Sequence, residues 1–110
     1  MQITIDKEKQ ELHFGVKFVR ELDKTSGVTA NGVAFGMGLT KSIPALKAYD
    51  PAVLSDVIYA ATITNDPRVS HDEVDDYIDR CTNLEKLFDD VQKQMNSANA
   101  IKVALKNATA

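Results

Sequence analysis

Four aspartates, Asp72, Asp75, Asp76 and Asp79, are the residues whose types and spacing best suit chemistry. They fall at i, i+3, i+4 and i+7, which places four carboxylates on one face of a helix, with His71 beside them. Carboxylates gathered this way can ligate a divalent cation. However, no Asp-x-Asp-x-Asp-Gly loop occurs, and no second acidic motif closes a cage. The other face of the same helix carries Val74, Tyr77, Ile78 and Cys81, so the acids are expected to point to water. A solvated face is therefore the first reading, an acidic patch for a partner the second, and a metal site the last. Neither a metal nor a cofactor is expected.

The other candidate groups are His13, His71 and the single thiol, Cys81. His13 alternates outward between Leu12 and Phe14, and His71 sits in the first turn of a capped helix. Neither has a nucleophile near it in sequence. Cys81 continues the Ile78 stripe and reads as a small core residue. Gly-x-Ser-x-Gly and His-Glu-x-x-His are both absent. Gly32, Gly36 and Gly38 lack the spacing of a phosphate-binding loop, and Gly36-Met37-Gly38 opens no dinucleotide fingerprint. A Cys–His pair assembled only in three dimensions stays open as the enzymatic alternative; otherwise the residues point to binding and assembly, not turnover.

These residues depend on elements that the sequence punctuates clearly. Ile3 and Ile5, then Leu12 and Phe14, alternate with polar residues and predict an N-terminal β-hairpin, with Asp6 to Gln10 as its solvated turn. Phe14, Phe18 and Leu22 recur at helical spacing and predict a helix ended by Ser26-Gly27. Asn31-Gly32 predicts a second small hairpin within Val28–Gly38. Ser42 to Tyr49 reads as a short helix with Pro44 in its first turn. Asp50-Pro51 then starts a helix with the apolar stripe Val53, Leu54, Val57, Ile58 and Ala61.

Ser70 to Glu73 is a capping box flanked by a Val69–Val74 staple, and Thr82 to Glu85 reads as a second box. Beyond it, Leu84, Leu87, Phe88, Val91, Met95, Ala98, Ile101 and Leu105 recur every three or four residues. That pattern permits one helix of about 24 residues, with a break allowed at Asn96-Ser97 or Asn99. The expected fold is α+β and mostly helical: a short N-terminal β-hairpin packed on about five helices, the last of them long.

The chain has 110 residues, 44% apolar and 26% charged, which suits one domain over 1–110 with residues 106–110 frayed. It contains no stretch of ~20 apolar residues for a membrane span and no signal-peptide start. One cysteine permits no intrachain disulfide, and a reducing cytoplasm is the simplest compartment. The net charge of −3 is uneven: 0 over 1–65, −6 over 66–90 and +3 over 91–110. An acidic middle and few aromatics argue against nucleic-acid binding. The opposed acidic and basic blocks predict head-to-tail association between copies, with folding of the tail onto its own acidic helix as the alternative.

Four pieces in order resemble a known family: Phe14-Gly15-Val16-Lys17-Phe18-Val19-Arg20-Glu21-Leu22-Asp23, Asn31 to Leu39, Ala48 to Leu54, and Val74-Asp75-Asp76-Tyr77-Ile78 before a late helix. The chain is similar, over about residues 1–105, to tail assembly chaperones of long-tailed bacteriophages of Gram-positive hosts. The resemblance implies a non-enzymatic protein of the host-cell cytoplasm, absent from the mature virion. It implies binding to the tape measure protein, which would be kept soluble while tail-tube subunits assemble around it. It also implies a frameshifted longer form that recruits the tube protein.

A helical client would need an apolar groove. The candidates for a client or self-association surface are Val33, Phe35, Met37 and Leu39, with Met95, Ile101, Val103 and Leu105 on the late helix. Core burial is the alternative for each. A small virion structural protein, of the head–tail connector or tail-completion kind, is the alternative function.

Overall fold

The structure is a computed structural model. It describes the backbone of residues 1–26, 29–30, 33–34 and 37–108, and the side chains of residues 1–25 and 37–104. A short antiparallel hairpin, β1 (Gln2–Ile5) with β2 (Glu8–Glu11), leads into α1 (Val16–Ser26). Two-residue strands β3 (Thr29–Ala30) and β4 (Val33–Ala34) follow, and then α2 (Gly38–Lys47), α3 (Pro51–Ala61), α4 (His71–Arg80), α5 (Leu84–Ser97) and α6 (Asn99–Ala108). The α+β, mostly helical class expected from the sequence is the one observed.

The first hairpin turns on Asp6-Lys7 alone, and both have positive φ, 49° and 69°. Two-residue turns of that hand match the twist of paired strands. The expected turn over Asp6 to Gln10 is therefore too long, because Glu8 to Glu11 are paired with β1 in the register Ile3↔Gln10 and Ile5↔Glu8. Gln10 shares the inward face with Ile3 and Ile5 and is fully buried. Its amide donates to the carbonyls of Lys9 (3.2 Å) and Pro67 (2.9 Å) and accepts from the Val69 N–H (3.4 Å). Pattern alone favours a buried apolar residue there; the Pro67 carbonyl and Val69 N–H of the segment before α4 instead select an amide. Asn65 grips the same strand one residue on, accepting from the Glu11 N–H (3.0 Å) and donating to the Glu11 carbonyl (2.8 Å).

Phe14 precedes α1 and is buried, its ring edge-on to Phe18 at 5.1 Å. Phe18 and Leu22 form the fully buried stripe of α1. Strands β3 and β4 pair as Ala30↔Val33, the second hairpin expected here; Asn31-Gly32 itself lies outside the described residues.

Helix α2 begins four residues earlier than expected, at Gly38, after Met37 in the left-handed region at φ 70°. Pro44 thus lies inside the helix, not in its first turn. The helical carbonyl it leaves without an N–H partner belongs to Thr40, which is exposed. Ser42 is buried in the second turn, its hydroxyl donating to the Gly38 carbonyl at 2.6 Å.

Asp50 caps α3 by accepting from the N–H groups of Ala52 (3.0 Å) and Val53 (3.3 Å), with Pro51 at the first helical position. The α3 stripe is buried at Leu54, Val57, Ile58 and Ala61, as expected, with Val53 partly covered. The Ser70–Glu73 capping box is fully formed, and the stapling residues Val69 and Val74 are buried.

The expected second box is corrected: Asn83, not Thr82, caps α5, accepting from the Lys86 N–H at 3.2 Å. The apolar run of the expected long C-terminal helix takes the break allowed between Asn96 and Asn99 and forms two helices, not one. Ala98, at φ −80° and ψ 132°, ends α5 and precedes α6. The Ser97 hydroxyl donates back to the Lys93 carbonyl (3.0 Å), a bond that competes with helix continuation in a stretch rich in asparagine. Helix α6 continues through Ala108, and residues 109–110 lie outside the described residues.

Candidate interaction surfaces

The acidic face of α4 is solvent-facing. Asp72, Asp75, Asp76 and Asp79 are all exposed, and Asp75 additionally accepts the hydroxyl hydrogen bond of Ser55, a buried residue of α3. Among the described residues, no three His, Cys, Asp or Glu side chains come together in a group that could hold a metal ion. The face lies opposite Val74 and Ile78, which enter the core.

Titratable groups gather in two clusters, one around Tyr59 and one around Cys81. His71 Nε2 lies 3.1 Å from Asp56 Oδ1, and its ring stacks on Tyr59 with centroids 4.6 Å apart. Arg68 lies over the Tyr59 ring at 3.9 Å and donates to the Tyr59 carbonyl (2.8 Å), Thr62 Oγ1 (3.1 Å) and Glu21 Oε2 (3.4 Å). This seam joins α1, α3, the segment after α3 and the start of α4. It was not foreseen from sequence, and the only local signal is the Asp56-x-x-Tyr59 spacing on one face of α3.

His13 and Cys81 line separate cavities. Cys81 shares one of about 330 Å³ with Asp6, Glu73, Tyr77 and Arg80. Burial raises the Tyr77 hydroxyl above the usual phenol range, with Cys81 adding to the effect. Glu73 is held below the usual carboxylate range, first by the Ser70 N–H.

The expected client surface divides sharply. Leu39 (6% exposed), Met95 (2%) and Ile101 (0%) are core residues, so in this chain they are not open apolar surface. Their helical spacing marked an apolar stripe without saying which neighbour covers it. Met37, by contrast, is 52% exposed. The side chains of Val33, Phe35 and Leu105 lie outside the described residues.

Sequence reasoning passed over Val16, which is 63% exposed, while Val103 on α6 is 66% exposed and Tyr49 is 43% exposed. Val16 sits between two clefts. One of about 540 Å³ runs between Leu12–Val16 and the α5–α6 joint, touching Gln94 and Ala98 to Ala100. The other, about 260 Å³, lies towards Lys17, Phe18 and Thr64. A contiguous exposed apolar patch of a few hundred Å² marks a protein-binding site. Tyr49 is tied down: its ring is edge-on to Phe88 at 5.1 Å, and its hydroxyl donates to Asp89 at 3.1 Å. That carboxylate raises the Tyr49 hydroxyl above the usual phenol range.

No helix among the described residues is long and apolar enough to cross a membrane. No curated protein and no solved structure gives a significant match to the chain. The model of the family described as phage tail assembly chaperone protein, TAC, matches residues 2–109. A match over nearly the whole chain establishes that this chain belongs to the phage tail assembly chaperone family, which implies protein partners in tail assembly.

Proposed function

We propose that this chain binds the tape measure protein in the host-cell cytoplasm and keeps it soluble until tail-tube subunits enclose it. The observation that carries this reading is the exposed apolar surface at Val16, flanked by two clefts, in a chain of the tail assembly chaperone family. A long helical protein displays apolar stripes that aggregate in water, and a chaperone offers apolar surface in exchange. Burial yields about 25 cal/mol per Å², so a few hundred Å² per copy holds a client weakly. Many copies along one client then add avidity while each remains displaceable. A frameshift-extended form recruits the tube protein, and the chaperone leaves before the virion is complete. Copies associate with one another through the acidic α4 face and the basic C-terminal block.

Co-expression tests this reading. The tape measure protein should be substantially more soluble with this chain than without it. Val16→Asp and Met37→Asp should weaken that effect while leaving the fold intact, because both side chains are exposed. A tape measure protein equally insoluble in all cases, with this chain found in purified virions, would replace the chaperone reading with that of a virion structural component.

A further inference from the structure

Among its described side chains, helix α6 has few anchors. It follows a one-residue break at Ala98, which has no side chain to cap it; Ala98 contributes only its carbonyl, accepting from the N–H groups of Ile101 (3.1 Å) and Lys102 (2.9 Å). Ten-residue helices are marginal on their own, so tertiary contacts must hold this one. Among its described side chains, Ile101 is the one fully buried anchor, Ala104 is partly covered, and Lys102 and Val103 face out.

Helix α6 borders a cleft of about 540 Å³ on one side and a groove of only about 20 Å³ on the other. Ala100 lines the large cleft with Leu12, Phe14 and Val16, while Ile101 lines a narrow groove with Ile43, Leu46 and Met95. The first turn of α6 is a wall of both.

We propose that α6 is a detachable helix seated in cis on an acceptor for an amphipathic helix, with Ile43, Leu46 and Met95 as the acceptor floor. The occupant is fixed by what α6 itself presents. An aliphatic residue enters the groove and a small one follows three positions later, as Ile101 and Ala104 do, with Lys102 and Val103 facing outward between them. A client helix with that pattern displaces α6 and takes its place. The identity of that client rests on the function proposed above, whereas the detachment of α6 does not.

Hydrogen exchange on the full chain tests the detachment. The amides of α6 should exchange at least about tenfold faster than those of Leu87–Met95 in α5. Ile101→Ala should accelerate α6 by roughly a further tenfold and leave the α5 amides unchanged. One common rate for α5 and α6 would overturn the inference, because α6 would then open only with the whole fold.

A fluorescent peptide with the sequence of residues 99–108, added to the full chain, tests the acceptor. It should bind the Ile101→Ala chain about tenfold or more tighter than the original, because the cis helix competes less. Binding to neither chain, or equally to both, would overturn the acceptor. Should Ile101→Ala fail to fold, Ile101→Val serves in both experiments, with smaller shifts in the same directions. If α6 detaches and the peptide binds while the tape measure protein stays insoluble, the acceptor stands and the functional reading falls. If the tape measure protein is solubilised while α5 and α6 exchange as one, the reverse holds.

Discussion

Gly38 opens α2 against the backbone of α1: its N–H donates to Asp23 Oδ1 at 3.0 Å, and a Cβ placed on it would lie 2.7 Å from the Leu22 carbonyl oxygen. The two helices can approach this closely only because residue 38 has no side chain. Gly38→Ala should therefore destabilise the chain by about 1–3 kcal/mol, since backbone and not a flexible side chain must yield. Asp23→Ala should cost about 1 kcal/mol by removing the carboxylate that receives the first N–H of α2. Urea unfolding monitored by circular dichroism checks both, and a neutral Gly38→Ala would contradict the packing described.

Gln10 ties the hairpin to the segment leading into α4 through the Pro67 carbonyl and the Val69 N–H. Gln10→Leu keeps the burial and removes both bonds. It should cost about 1–3 kcal/mol, because the buried Val69 N–H and the part-buried Pro67 carbonyl lose their partner. Thermal unfolding of the variant should show a lowered midpoint. An unchanged midpoint would mean that water replaces the amide without loss.

The α4 cap gives a pH dependence of definite sign. Glu73 is held below its ordinary range by the Ser70 N–H, so it binds protons less readily folded than unfolded. Its contribution is present above the unfolded-state value and is lost as pH falls through the depressed folded value. Glu73→Gln should flatten the acid limb of the Tm-versus-pH curve relative to the original chain. Ser70→Ala should lower stability by about 1 kcal/mol at neutral pH. An acid limb unchanged by Glu73→Gln would show that other carboxylates set it.

Association between copies should depend on salt. The block at 66–90 carries −6 and that at 91–110 carries +3, and a contact pairing them weakens as screening increases. Light scattering should show a mass above the monomer at low ionic strength and a falling mass as salt is added. A strict monomer at high concentration and low salt would exclude the contact.

The sequence was legible where a local bond decides the structure. The Ser70–Glu73 box, the Asp50-Pro51 start and the Val69–Val74 staple follow from residues a few positions apart. It was illegible where a distant partner decides. Gln10 reads as solvated until Pro67 and Val69 arrive from more than fifty residues away. The start of α2 reads as Ser42 until Asp23 supplies a partner for Gly38. Three members of the candidate surface were misplaced for the same reason. Apolar spacing placed Leu39, Met95 and Ile101 on helix stripes, but covering elements bury all three, whereas Val16, the first residue of α1, is left open.

The central claim is that apolar surface on this chain holds a helical client. Calorimetric titration of purified chain with a helical segment of the tape measure protein, at about 50 and 500 mM salt, tests it most directly. The account predicts a micromolar Kd that changes less than about threefold between the two salts, a negative heat-capacity change, and at least about tenfold weaker binding by Val16→Asp. Absence of binding at both salts, or binding abolished at the higher salt and indifferent to Val16→Asp, would contradict it.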